Sequence, residues 1–197
     1  MPQFPCPAPK LAGARSRFKP AMGMLEGVMS VLTTARLILR PFRSDDLAAY
    51  AAIRARPEVA RWLPPGSEPA EVRARKTIEA FAAAWAERGY GPHAAFDRAS
   101  GRLLGHLGLR YLPQFEETEV LYALTPEVWG QGLAFEGTAA ARDWGFGALG
   151  LARLMAITLA ENRASRRVME KLGLRYEKDT VFHDLPVVYY ALDRPGA

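Results

Sequence analysis

The sequence predicts an α+β fold over residues 31–197, a mixed and mostly antiparallel sheet flanked by helices. Three observations carry this expectation. Short strand-like runs recur from Leu37 to Leu192, helical spacing appears only in separate blocks, and Gly or Pro punctuates nearly every boundary. The resulting order is a strand, two or three helices, three antiparallel strands, a helix, a strand, a helix and two strands, which is an α+β pattern rather than a regular βαβ alternation.

Each element has its own signal. Ala35 to Phe42 reads as the first strand, closed by Pro41. Ser44-Asp45-Asp46 supplies a helix cap and acidic first-turn residues for a helix from Leu47 to Arg56. Pro57 restarts the chain as a short helix ending near Trp62, and Pro64-Pro65-Gly66 is a break. Ser67 is the expected cap of the next helix, which carries Val72, Ile78, Phe81 and Trp85 and stops at Gly89. His93 to Asp97 and Leu103 to Leu112 form a hairpin around Arg98-Ala99-Ser100-Gly101. A strand follows from Thr118 to Leu124, then a glycine turn and a helix from Phe135 to Phe146. Met155 to Leu159 is a short buried strand, and Asn162 to Leu172 is a helix closed by Gly173. Two strands around a turn at His183-Asp184 complete the chain.

Residues 1–28 differ from the rest, with scattered Pro, Gly, Met and basic residues and no apolar period. Residues 1–30 are therefore expected to be a disordered tail, or sequence upstream of a later start such as Met24 or Met29. Pro2, Pro5, Pro7 and Pro9 exclude a signal peptide core there. Nowhere does an apolar run approach the roughly 20 residues of a membrane helix. One cysteine, Cys6, rules out an internal disulfide framework and a cysteine zinc cluster. His93 and His106 lack metal-ligand spacing, so no metal is expected. A net charge of +5 suits a polyanionic ligand, but no basic arm interleaved with aromatics marks a nucleic-acid binder. A cytoplasmic setting, as monomer or homodimer, fits these features.

The chemistry concentrates in two segments. Trp129-Gly130-Gln131-Gly132-Leu133-Ala134 joins a strand end to a helix start. Helix N-termini expose unpartnered N–H groups, and glycines let an anion approach them. The turn lacks the Gly-Lys-Ser/Thr ending of a P-loop, and Phe135 stands where a dinucleotide fingerprint has its third glycine. Taken alone, these glycines could simply tighten a corner. The second segment begins thirty residues after Gly132 and runs from Asn162 to Leu174. Asn162 is a helix cap, and Ser165 lies one turn on, so two polar groups face the gap between the neighbouring strands.

Together these segments, with Leu32 to Pro41 and Leu149-Gly150-Leu151, resemble the GNAT superfamily of N-acetyltransferases. The details are similar to its ribosomal-protein N-terminal acetyltransferase branch, in which the glycine turn also opens with Trp. The resemblance covers residues 32–193. It implies a sheet splayed into a V between the fourth and fifth predicted strands, with acetyl-CoA as co-substrate. It further implies pyrophosphate on the backbone of Trp129, Gly130, Gln131, Gly132, Leu133 and Ala134. The pantetheine would run along Tyr122, Ala123 and Leu124, with Asn162 beside it.

Amide formation needs an uncharged amine, a donor for the oxyanion and a proton source for the sulfur. Many relatives carry an acidic tyrosine in the last helix; the matching position here is Met169, which removes that acid. Ser165 is the implied replacement, and Glu119 the implied base, with Glu116, Glu117, His183 and Asp184 as rivals or pocket residues. Tyr90, Trp62 and Phe115 are candidates for the acceptor pocket, while Trp85 and Trp144 read as core. The expected reaction is direct acetyl transfer to a primary amine, either a protein N-terminus or a small molecule. The acidic stretch Glu116 to Glu119 would favour a cationic acceptor if it lines the cleft mouth. The other reading is a non-catalytic acyl-CoA-binding sensor or scaffold.

Overall fold

The computed structural model describes residues 31–196, so the expectation for residues 1–30 lies outside the described residues. Eight strands form one sheet: β1 (Leu32–Thr33), β2 (Leu37–Arg40), β3 (Pro92–Asp97), β4 (Leu103–Leu112), β5 (Glu117–Leu124), β6 (Arg153–Thr158), β7 (Arg175–Phe182) and β8 (Leu185–Asp193). Their spatial order is β1-β2-β3-β4-β5-β6-β8-β7. Every neighbouring pair is antiparallel except β5 with β6. Helices α1 (Leu47–Ala55), α2 (Pro57–Ala60) and α3 (Ala70–Arg88) lie between β2 and β3, α4 (Leu133–Gly147) between β5 and β6, and α5 (Arg163–Lys171) between β6 and β7.

Strand periodicity divides the sheet into two faces. In β5, Val120 joins Ala141, Trp144, Leu154 and Met169 in the core beneath α4 and α5. Glu119, one residue away, points to the opposite face and pairs with Arg110 of β4. Gly105 makes this division possible in β4. It holds φ at +141°, and a Cβ there would stand 2.1 Å from the Ala123 carbonyl oxygen. The ladder to β3 slips at this point, pairing Ala95 with Gly105 but Phe96 with Leu103. Leu104 and Leu107 thereby enter the core beside Leu133, whereas His106 meets Tyr50 of α1 on the other face.

Helix α4 sits unusually close to the sheet. A Cβ on Gly137 would lie 2.3 Å from Leu107 Cδ2, and one on Gly145 would lie 2.8 Å from Leu109 Cδ1. This close packing sets the N-terminus of α4 at the end of β5.

Two expected helix caps are displaced. Ser44 begins a short 3-10 turn, and the carboxylate of Asp46 instead accepts from the Arg43 N–H at 2.7 Å while Arg40 clamps it at 2.7 and 2.8 Å. A carboxylate held by a guanidinium makes the stronger, charge-assisted acceptor. Ser67 lies short of α3, because Pro69 occupies the cap position at φ −51° and the helix starts after it. Gly89 at φ +71° ends α3, and His183 and Asp184 adopt φ +48° and +62° in the two-residue turn joining β7 and β8. No helix among the described residues is long and apolar enough to cross a membrane.

Candidate active site

The site is assembled where β5 and β6 part. A single bridge, Glu119 to Met155, joins the two strands. Beyond it β5 stays on β4 and β6 stays on β8, so a V opens between Tyr122–Leu124 and Ile157–Thr158. These are the fourth and fifth strands of the sequence reading, since the two-residue β1 precedes them in the count.

At the open end of the V, the chain turns through Pro126–Val128 into α4. Gly130 and Gly132 adopt φ +74° and +80°, a conformation that costs side-chain-bearing residues free energy. The ladder of α4 opens with the Glu136 N–H, which bonds the Gly132 carbonyl at 2.9 Å, so the N–H groups of the first helical residues precede it. Trp129 donates its indole N–H to the Leu124 carbonyl at 2.8 Å, and Gln131 donates its side-chain amide to the Glu127 carbonyl at 2.8 Å. Both bonds fix the turn from behind. Leu133 is buried in the core, so only its backbone faces the turn. A glycine turn running into a positive helix terminus fits a pyrophosphate.

On the α5 side of the V, Asn162 accepts the Ser165 N–H at 3.1 Å and so caps the helix. Ser165 Oγ lies 2.8 Å from the Tyr122 hydroxyl, which donates to the Ser165 carbonyl at 3.0 Å. The Tyr122 side chain thus crosses from β5 to α5. Burial is the main reason its phenol titrates well above ordinary tyrosine, with the Glu119 charge acting in the same direction. A phenol that resists ionisation is a poor proton source and a good fixed hydrogen-bonding group. Met169 is 2% exposed and packed in the core, so no polar group from that position reaches the cleft.

Glu119 occupies the opposite face. It is 4% exposed, although it lies in an acidic stretch on a strand. Arg110 donates to its Oε2 from Nε at 3.1 Å and from a terminal nitrogen at 2.5 Å. Beside Arg110, a cavity of about 330 Å³ lies between α3 and β4, with Phe81, Ala84 and Tyr111 among its walls. The rest of the acidic stretch is dispersed. Glu116 sits in the hairpin turn at φ +55°, Glu117 pairs with Arg153 at 2.9 Å, and Thr118 turns to the other face to meet the Tyr90 hydroxyl. Tyr90 is accordingly a core residue beside Val120, while Trp85 and Trp144 stack at 5.9 Å as core. His183 and Asp184 stand at the β7–β8 turn, and no hydrogen bond links them to Glu119 or Ser165.

Sequence reasoning missed one feature of the turn. Glu136 accepts from Thr34 Oγ1 at 2.6 Å, from the Arg36 backbone N–H at 2.8 Å and from Arg36 Nε at 2.6 Å. Burial works against the Glu136 charge, yet these donors hold its carboxyl below the ordinary glutamate range. Arg36 also reaches the Gln131 carbonyl at 3.0 Å. No local signal announces a partnership between residues 100 positions apart. Among the described residues, no cluster of His, Cys, Asp and Glu is arranged to hold a metal.

A sheet parted at one parallel pair, with a glycine turn leading into a helix at its mouth, sets this fold beside known acetyltransferases. The acetyltransferase (GNAT) domain profile matches residues 36–175, and the chain belongs to that family. Family members use acetyl-CoA, and this chain carries their acetyltransferase domain. It is 32% identical over 148 residues to the uncharacterized N-acetyltransferase YoaA of Bacillus subtilis, spanning 75% of this chain and 84% of that protein. The acetyltransferase from Agrobacterium tumefaciens superimposes with a TM-score of 0.73 at 26% identity, over 91% of this chain and 99% of that one. Mycobacterium smegmatis RimJ in complex with CoA-disulfide shares the fold, with a TM-score of 0.68 at 23% identity, covering 80% and 81% of the two chains.

Proposed function

We propose that the chain moves the acetyl group of acetyl-CoA to a primary amine, a protein N-terminus or a small molecule, by direct attack within a ternary complex. The observation that carries this reading is the placement of two different polar groups on opposite faces of the sheet where β5 and β6 part. Ser165 and Tyr122 lie on the α4/α5 side, and Glu119 lies on the side of the α3 cavity. Acetyl-CoA, when bound, supplies an activated acyl group.

The chain's own residues do the rest. The N–H groups from Gly130 to Ala134 hold the pyrophosphate, with Trp129 bracing the turn. The edge of Tyr122, Ala123 and Leu124 that faces away from β4, together with Asn162, aligns the pantetheine. Glu119 removes a proton from the incoming ammonium, directly or through water, because only the free amine has a lone pair. Ser165 donates to the departing sulfur. Glu119 is tied to Arg110 through Oε2 alone, which leaves Oε1 available. The reading treats residues 31–197 as one catalytic unit in a cytoplasmic setting.

The buried Met169 favours one rival, an acyl-CoA-binding sensor without turnover. Incubation with acetyl-CoA and a panel of peptides and amines, followed by mass spectrometry and a free-thiol assay, separates the two. Acetylated product that depends on Ser165 and Glu119 supports the transferase. Tight CoA binding with no product, unaffected by Ser165→Ala or Glu119→Gln, supports the sensor.

A further inference from the structure

We propose that Arg36, at the turn between β1 and β2, is a direct ligand of the cofactor's pyrophosphate, supplying the cation that the glycine turn itself lacks. The inference rests on the reading of residues 130 to 134 as the pyrophosphate site.

Three observations converge on Arg36. First, Glu136 stands in the first turn of α4, beside the very N–H groups that would meet two phosphate charges. An uncompensated carboxylate there would repel the ligand. The only cation bonded to Glu136 among the described residues is Arg36, whose Nε lies 2.6 Å from Oε2. Second, the guanidinium is already oriented. One nitrogen bonds Glu136 and another bonds the Gln131 carbonyl at 3.0 Å, within the turn itself. Its third nitrogen, Nη2, has no hydrogen-bond partner among the described residues and lies 3.7 Å from where a Cβ on Gly132 would stand. Third, the side chain is 48% exposed, so that edge is open to a ligand arriving from solvent.

A planar guanidinium can serve a carboxylate with one edge and a phosphate with another, which an ammonium cannot do with the same geometry. Arg36 thus neutralises Glu136 and presents its free edge at the anion site. The missing side chain at Gly132 keeps the path between the guanidinium and the helix terminus clear.

Isothermal titration of the intact chain with CoA, 3′-dephospho-CoA and pantetheine tests this without knowledge of the acceptor. Arg36→Gln should weaken CoA about tenfold and dephospho-CoA by the same factor, as expected for loss of one charge-assisted phosphate contact. Pantetheine, which carries no phosphate, should bind as before. Arg36→Lys should fall between, and Thr34→Val, which removes a bond to Glu136 without removing a cation, should leave CoA binding unchanged. Equal losses for CoA and pantetheine would mean that Arg36 is a structural tether, and the proposal is overturned. So is it by a loss that disappears with dephospho-CoA, which would move the contact to the 3′-phosphate. Wild-type protein that binds CoA and pantetheine equally well would overturn the pyrophosphate site itself, a distinct result. If Arg36→Gln does not fold, the Arg36→Lys arm carries the same comparison among the three ligands.

Discussion

Ser165 and Tyr122 can be separated by a double-mutant cycle. The Tyr122 hydroxyl makes two contacts at position 165, 2.8 Å to Oγ and 3.0 Å to the carbonyl oxygen. Neutral hydrogen bonds contribute about 1 kcal/mol each. Tyr122→Phe should therefore destabilise the fold by about 1–2 kcal/mol. Ser165→Ala should cost less, about 0.5–1 kcal/mol, because the phenol keeps the carbonyl as acceptor and Asn162 still caps the helix through the backbone N–H. The kinetic pattern should run the other way. If Ser165 hands a proton or hydrogen bond to sulfur, Ser165→Ala should lower the single-turnover rate about a hundredfold. Tyr122 acts by holding the serine hydroxyl in one of three staggered rotamers, so its loss should cost about three- to tenfold. In the Ser165→Ala background, Tyr122→Phe should then change the rate less than about twofold, since nothing remains to be held. Rapid-quench measurement at saturating acceptor, paired with urea denaturation, reads both quantities. Additive rate effects would sink the argument, and so would a larger rate loss for Tyr122→Phe than for Ser165→Ala.

Other expectations test the remaining parts of the site and fold. Glu119→Gln should lower kcat/KM for the amine at least about tenfold while CoA affinity by titration stays the same; unchanged kcat/KM removes Glu119 as the base. Burial, with help from the Arg54 and Arg110 charges, lowers the His106 pKa to about 3 from an ordinary 6.5. The unfolded chain then binds the extra proton as pH falls below 6.5, so His106 contributes stability fully present above that pH and lost progressively toward pH 3. Between pH 6.5 and 5.5 the wild type should lose about 1 kcal/mol more than His106→Gln in chemical denaturation, and parallel losses would contradict the buried neutral imidazole. Gly137→Ala should destabilise by about 1–2 kcal/mol, as steric overpacking against Leu107 outweighs a helix-propensity gain of about 1 kcal/mol. Equal or higher stability of that variant would show that α4 does not need its close seat.

Local chemistry was legible in the sequence where a residue acts on its neighbours. Gly89 ends α3, Gly173 follows α5, and Asn162 caps α5, each as its residue type predicts. The core indoles of Trp85 and Trp144 were readable from helical spacing. What escaped was set by partners far along the chain. Nothing local to Glu119 announces its burial or the Arg110 that β4 brings beside it. Glu136 reads as a first-turn charge until the β1–β2 turn delivers Thr34 and Arg36. Ser44 and Ser67 are plausible caps by type, but Asp46 and Pro69 hold the decisive positions. The same limit applies to the acidic stretch, whose Glu117 and Glu119 are each matched by an arginine from another strand.

The solitary bridge between Glu119 and Met155 has a consequence for how the protein meets its neighbours. Past that bridge, β5 and β6 each carry a row of unmatched peptide groups, the feature that makes exposed sheet margins adhesive. Here the two rows confront one another inside the sheet rather than lining its rim. A foreign strand cannot lie flat alongside either of them, whereas a slender chain bearing its own amides can slide in lengthwise. Unlike the outer strands β1 and β7, these two rows are screened from edge-to-edge pairing by each other's strands.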